Sequence, residues 1–205
     1  MDIKITRTTQ PKVKPPEAEL GFGKFFSDHL FAMDFTEGRG WHDARIEPYA
    51  PFHVDPAAAV FHYGQAMFEG SKAFRGADGR IRLFRPADHA RRMAHGAPRL
   101  CMPTPPQEDM VEAVRALVKI DADWVPKSEG TSLYLRPTLI ATEGFLGVRP
   151  AKSYRYFVIA SPAGNYFGGK GLKSVRIWVE THEVRAPRGG LGATKAGANY
   201  AASLH

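Results

Sequence analysis

The segment Arg188-Gly-Gly-Leu-Gly-Ala-Thr-Lys-Ala-Gly-Ala-Asn-Tyr200 sets one lysine, Lys195, among residues too small to shield it. A planar ligand can approach such an amine closely. Loss of water disfavours its charged form, and the neutral amine is a nucleophile toward a carbonyl carbon. On local composition alone, the commoner situation is a solvated lysine in a glycine loop. The segment is not a phosphate-binding P-loop, because GxxxxGK[ST] is absent. His62, His182 and His205 have no partners at metal-ligand spacing, so no metal site is expected.

A lysine loop can act only if a framework holds it. Residues 1–20 are polar and proline-rich and read as a surface arm. Phe22 to Phe52 mixes aromatic and β-branched residues with turn signals and predicts short strands. Asp55-Pro56 predicts the start of a helix running from Ala57 to about Glu69. Lys72–Arg75 and Arg80–Phe84 flank Gly76-Ala77-Asp78-Gly79, which predicts a hairpin with Ile81 and Leu83 on its apolar face. A helix is expected after Pro86, fraying at Gly96 and Pro98.

A second helix is expected from an N-cap at Thr104, with Gln107 as its capping-box partner and Met110, Val111, Val114, Leu117 and Val118 as its apolar face. Strands are predicted at Ser132–Thr142, Tyr154–Ala160 and Ser174–Thr181. Gly164–Gly171 has the composition of an interdomain linker. The mixed order of elements gives an α+β or α/β class. The division is an arm over 1–20, a small α/β domain over 21–163, a linker over 164–173, and the beginning of a larger domain over 174–205. The last of these is too short to bury a core of its own, so the sequence reads as cut inside a helix.

The 205 residues carry 28 Lys+Arg against 21 Asp+Glu, a formal charge of +7. The basic residues are spread singly or in pairs, with no run of five or six. That argues against a nucleic-acid interface and suits a small phosphorylated or carboxylate ligand. Cys101 is the single cysteine, which excludes an intrachain disulfide and fits a reducing compartment. The start of the chain lacks a signal-peptide core, and the longest apolar stretch, Tyr156–Ala160, is far short of a membrane span. A cytoplasmic protein without membrane contact is expected.

GATKAGANYAASL is similar to the lysine segment of branched-chain amino acid aminotransferases, which are pyridoxal-phosphate enzymes of fold-type IV. GFGKFFSDHLF, FHYGQAMFEGSKAFRG, RLFRP, RLCMP, DWVPKSEGTSLYLRP and LGV follow in the same order and spacing as in that family, so the resemblance runs from about residue 20 onward. It implies the fold-type IV architecture, α+β, with a small N-terminal domain and part of a larger cofactor-binding one.

The resemblance also implies roles. Lys195 binds pyridoxal 5'-phosphate covalently and shuttles a proton. Tyr200 hydrogen-bonds the cofactor's phenolic oxygen, and Arg92 holds its phosphate through a guanidinium fork. Without the resemblance, Arg92 reads as a solvated helix charge. Phe22, Phe68, Tyr134 and Tyr166 match residues that wall the substrate pocket, while Tyr63, Leu146 and Val148 match residues supplied by the neighbouring subunit of a homodimer. Aromatic residues are otherwise most often core. Arg136 is a candidate to meet the distal carboxylate of 2-oxoglutarate or to organise the tyrosines; a structural ion pair is the alternative.

The implied reaction moves the amino group between leucine, isoleucine or valine and 2-oxoglutarate, giving 2-oxo acids and glutamate. In the family the acid that meets the cofactor's ring nitrogen lies well beyond the lysine. Neither Glu180 nor Glu183 can be assigned that role, so 205 residues alone are expected to be nearly inactive. D-amino acid aminotransferase or aminodeoxychorismate lyase activity on the same fold, or an inactive fragment, are the alternative readings.

Overall fold

The computed structural model describes residues 1–165, 174–201, 203 and 204. Its strands are β1 (Lys4–Ile5), β2 (His29–Thr36), β3 (Gly40–Pro48), β4 (Ala66–Phe68), β5 (Ser71–Arg75), β6 (Ile81–Leu83), β7 (Ser132–Ala141) and β8 (Ser153–Ala163). They form one sheet in the order β1-β3-β2-β8-β7-β5-β6, with β4 also paired to β7. Every pairing is antiparallel except β1 with β3. The helices are α1 (Ala59–Tyr63), α2 (Pro86–Gly96), α3 (Gln107–Ile120) and α4 (Ala198–Ala201).

Period-2 alternation decides which side of the sheet each residue faces. Along β7, Leu133, Leu135, Pro137 and Leu139 are buried, while Tyr134, Arg136 and Thr138 between them are half-buried. On the buried side Met67, Leu133, Leu135, Leu139, Tyr154, Tyr156 and Val158 join Met93 of α2 and Met110, Val114, Leu117 and Val118 of α3 in one core. This is a two-layer mixed α/β arrangement, sheet against helices, as an apolar sheet face requires.

The hairpin of β5 and β6 forms where Asp78-Gly79 predicts it, with Gly79 at φ +75. Several expectations need correction. The helix expected over 57–69 ends at Tyr63, because Gly64 takes a left-handed φ of +60 as its C-cap. Ala66–Phe68 then pairs with Thr138–Ile140, so inter-strand bonds override a helical pattern. α3 starts at Gln107 with Pro106 at its N-cap and no side-chain cap bond, not at Thr104. The short strands expected between Phe22 and Phe52 are two long ones, β2 and β3. Residues 174–181 form no strand; Ile177, Trp178 and Val179 are exposed, with no strand beside them among the described residues. Alternation without a paired neighbour leaves a strand's backbone unsatisfied.

The arm is tied down rather than loose. Thr8 N–H donates to His29 Nε2 at 2.9 Å, and the Glu17 carboxylate accepts from the N–H groups of Lys127 and Ser128 at 2.8 and 2.7 Å. Opposite the helix layer, Asp34 of β2 accepts from Arg155 Nε at 2.7 Å and from Arg45 Nη1 at 2.8 Å. Burial by itself raises the Asp34 pKa, but the bonds and charges of Arg155 and Arg45 outweigh it, leaving the carboxyl below its ordinary 3.8. A carboxyl depressed in the folded state stabilises the fold above its unfolded pKa, and that contribution is lost as pH falls through the folded value. The melting temperature should therefore drop as pH is taken from 6 toward 3, and Asp34→Asn should be less stable at pH 7 with a shallower acid decline. Parallel acid profiles for the two proteins would remove Asp34 from the account.

Candidate functional site

The lysine segment is stitched to the outer edge of β4. Phe68 N–H donates to the Lys195 carbonyl at 3.1 Å, Gly197 N–H to the Ala66 carbonyl at 3.1 Å, and Met67 bridges Ala196. Thr194, buried, donates its hydroxyl to the Gly96 carbonyl at the end of α2. Asn199, also buried, donates to the carbonyls of Leu191 and Thr194, both at 2.8 Å. Gly96 makes the approach possible, since a Cβ there would lie 3.3 Å from both Met67 and Thr194 side-chain atoms. The loop around Lys195 is therefore fixed at its backbone on both sides of the lysine, not a free glycine loop.

Lys195 Nζ donates to the Tyr200 hydroxyl at 2.8 Å. The same nitrogen sits 4.7 Å from the Phe68 ring centre and 5.1 Å from that of Tyr200. Phe68 and Tyr200 are themselves 4.9 Å apart. The Arg136 guanidinium also lies against Phe68, 4.4 Å from its ring centre, and donates twice to the Tyr134 hydroxyl, at 3.2 and 3.0 Å. Tyr134 in turn meets the edge of Phe22 at 4.9 Å. Strand geometry explains the grouping. Phe68 lies opposite Thr138, one diagonal step from Arg136, and side chains at that offset share a face. Arg136 makes no ion pair among the described residues, so the structural ion pair is set aside.

Arg92 is carried by α2, the helix whose end meets Thr194 beside Lys195. Its Nε and Nη2 donate to Glu69 Oε1 and Oε2 at 2.6 and 2.5 Å. The hydrogen bonds from Arg92 to Glu69, with the Glu69 and Tyr200 charges, raise the Arg92 pKa against a smaller desolvation effect. The sequence around Glu69 does not mark it as a site residue. The available signal was a single carboxylate inside the apolar run Gln65–Gly70, next to an alternation that buries its position. Thr194 and Asn199 likewise carry no signal in the sequence, because hydroxyls and amides that hold backbone carbonyls leave no mark in composition.

Other expected residues fall elsewhere. Tyr63, Leu146 and Val148 are exposed, Val148 at 92%. Tyr63 and Val148 border a shared surface groove with Arg99 and Arg149. Tyr166 lies outside the described residues. Glu180 accepts hydrogen bonds from the N–H groups of Thr181 and His182, so its carboxylate is engaged locally. Among the described residues no group of three or more His, Cys, Asp or Glu could hold a metal, and no helix is long and apolar enough to cross a membrane. The arrangement as a whole is an amine beside a phenol, set on an aromatic wall, with two guanidinium groups at its borders. Such a site suits a flat carbonyl compound bearing an anionic group.

No family model matches the chain. It is 50% identical over 202 residues to branched-chain-amino-acid transaminase 1 of Bacillus subtilis (strain 168), covering 98% of this chain and 57% of that protein. The chain thus spans about half the length of the curated relatives it matches. The crystal structure of an Escherichia coli branched-chain amino acid aminotransferase superposes with a TM-score of 0.63 at 24% identity, over 84% of this chain and 53% of that one. A branched-chain aminotransferase from the thermophilic archaeon Thermoproteus uzoniensis, crystallised with norvaline, gives a TM-score of 0.64 at 20% identity, over 85% of this chain and 54% of that one. At those identities the structures establish a shared fold.

Proposed function

We propose that this chain, a relative of the branched-chain-amino-acid aminotransferases along nearly its whole length, contributes the lysine side of a pyridoxal-phosphate transaminase site. The observation that carries the reading is the Lys195–Tyr200 pair, held at 2.8 Å over Phe68 by a loop pinned to β4. The residues fit the cofactor. A primary amine reaches an open aromatic surface, a phenol stands beside it, and the half-exposed Arg92 offers N–H donors for a phosphate. Bound pyridoxal phosphate supplies an electron sink for negative charge at the substrate's Cα.

The chain's own groups do the rest. With the cofactor bound, the neutral Lys195 amine would hold its aldehyde carbon with loss of water and, once displaced by the substrate's own amine, would carry the proton at the substrate's Cα. Tyr200 orients Lys195 and would hydrogen-bond the cofactor's phenolic oxygen. Arg92 anchors a dianionic group by charge-assisted bonds. Phe22, Phe68 and Tyr134 exclude water and receive the side chain of leucine, isoleucine or valine, worth about 0.8 kcal/mol per buried methylene. Arg136 fixes the Tyr134 hydroxyl, and its remaining donors face the carboxylate of 2-oxoglutarate. Tyr166 is assigned to substrate binding by the resemblance alone. Tyr63, Leu146 and Val148, exposed here, serve the site of a second copy in a homodimer. The domain division at 21–163, 164–173 and 174–205, and a cytoplasmic location, complete the proposal.

The test is amino transfer to 2-oxoglutarate by the full protein, with leucine and D-alanine as donors. Leucine as the better donor supports the reading. D-alanine as the better donor would move it to the D-amino acid enzymes, and no transfer with either would end it. Gly70 offers a finer check on the wall. A Cβ there would lie 2.3 Å from the Tyr134 hydroxyl oxygen. Gly70→Ala must push Tyr134 off Arg136, and misplacement of about 1 Å can cost roughly 100-fold. A fall of that order in kcat/KM for leucine is expected with little change in melting temperature. Unchanged kinetics would take Tyr134 out of the pocket.

A further inference from the structure

Glu69 is a carboxylate with 1% of its surface exposed, between the sheet and α2, and the chemistry above makes no use of it. Burying a charge is costly unless it is paired, and a buried ion pair is often no more stable than a well-packed apolar pair. Stability is thus a poor reason for its presence. Its partners point to another. Arg92 donates both Nε and Nη2 to it, Gly70 N–H donates to Oε2 at 3.2 Å, and His89 Nδ1 stands 3.4 Å from the same oxygen.

A guanidinium has five N–H donors in one rigid plane. Two of Arg92's, on the Nε–Nη2 edge, are committed to Glu69. The Nη1–Nη2 edge therefore keeps a free N–H on each nitrogen, and the Arg92 side chain is 57% exposed while its anchor is buried. An anion can take that edge by two parallel bonds without displacing Glu69.

We propose that Glu69 is a positioning residue, which clamps the Nε–Nη2 edge of Arg92 so that its Nη1–Nη2 edge is presented, already oriented, to the phosphate of pyridoxal phosphate. The proposal rests on the cofactor reading above. A flexible arginine must be ordered when the anion arrives; Arg92 has been ordered by folding, so less affinity is lost to that step. Gly96, at the end of the same helix as Arg92, accepts the hydroxyl of Thr194 beside Lys195, which sets α2 against the lysine segment.

Binding of pyridoxal phosphate and of unphosphorylated pyridoxal to the chain, each followed by the Lys195-dependent change in absorbance, separates the phosphate's share. Glu69→Gln should weaken pyridoxal phosphate binding about tenfold, in line with one lost charge-assisted bond, and leave pyridoxal binding unchanged. In an Arg92→Ala background, Glu69→Gln should have no further effect on the difference. Equal weakening of both compounds, or an additional loss in that background, overturns the proposal.

Should Glu69→Gln fail to fold, the arginine side-chain NMR spectrum of the unaltered chain decides. The Arg92 Nε–H signal should be slow to exchange and should persist as inorganic phosphate is added. Its collapse on phosphate addition means that the anion displaces Glu69, and the proposal fails. Absence of any Lys195-dependent absorbance, with the Nε–H signal and the phosphate response intact, instead defeats the cofactor reading while leaving the clamp in place.

Discussion

Lys195→Ala is expected to abolish the visible absorbance that pyridoxal phosphate gains on bonding to the protein, and to lower amino transfer by at least the ~10²–10⁴-fold that a positioned proton carrier contributes. The expectation follows from geometry more than from residue type. The Lys195 nitrogen is set over Phe68 and Tyr200, 2.8 Å from the Tyr200 hydroxyl. Its backbone carbonyl is bonded to Phe68 N–H, so the side chain leaves from a fixed point. Alanine removes the amine and leaves those backbone bonds intact, so folding should be little affected. Circular dichroism and the melting temperature check that control. An absorbance band of normal intensity in the alanine variant would assign the bonding amine to another lysine.

Phe31→Ala should produce the largest loss of stability among simple substitutions in the core. Phe31 is 0% exposed, sits in β2 opposite Val158, and packs edge-to-face on Tyr156 with centroids 6.1 Å apart. Truncating a buried phenylalanine costs about 3–5 kcal/mol, through lost transfer energy and the cavity left behind. That is a large part of the roughly 5–15 kcal/mol that holds a typical domain folded. The melting temperature should fall by about 10 °C, at roughly 2–4 °C per kcal/mol for a chain of this size. Tyr156 lines the same small cavity as Glu69 and His89, so the substitution should also loosen the seat of Arg92. A loss below about 1 kcal/mol, typical of a surface change, would show that the β2–β8 interior repacks freely.

Much of this architecture is legible without coordinates. The Asp78-Gly79 hairpin follows from a turn that needs a positive φ, and α3 follows from an apolar face at helical spacing. β7 and β8 fall on the runs expected as strands at Ser132–Thr142 and Tyr154–Ala160, and burial of every second residue along most of each is a local property of the pleat. Where local signals compete with distant partners, the sequence misleads. Ala66–Phe68 has a helical pattern but bonds to β7, about seventy residues further on. Residues 174–181 have a strand's alternation but no neighbour among the described residues to complete it.

The site divides in the same way. Arg92, Lys195, Tyr200, Phe68, Tyr134 and Arg136 can be picked out by likeness to a family, because their types and order survive in one dimension. Their mutual distances cannot, since Arg92 comes from a helix, Phe68 and Tyr134 from two strands, and Lys195 from a loop far along the chain from all three. Glu69 is the clearest case. In the sequence it is one acidic residue in an apolar run. Only the pairing of β4 with β7 turns it inward, and only the packing of α2 on that face brings Arg92 to it. A buried charge acquires its meaning from its partner, and tertiary contact alone supplies the partner.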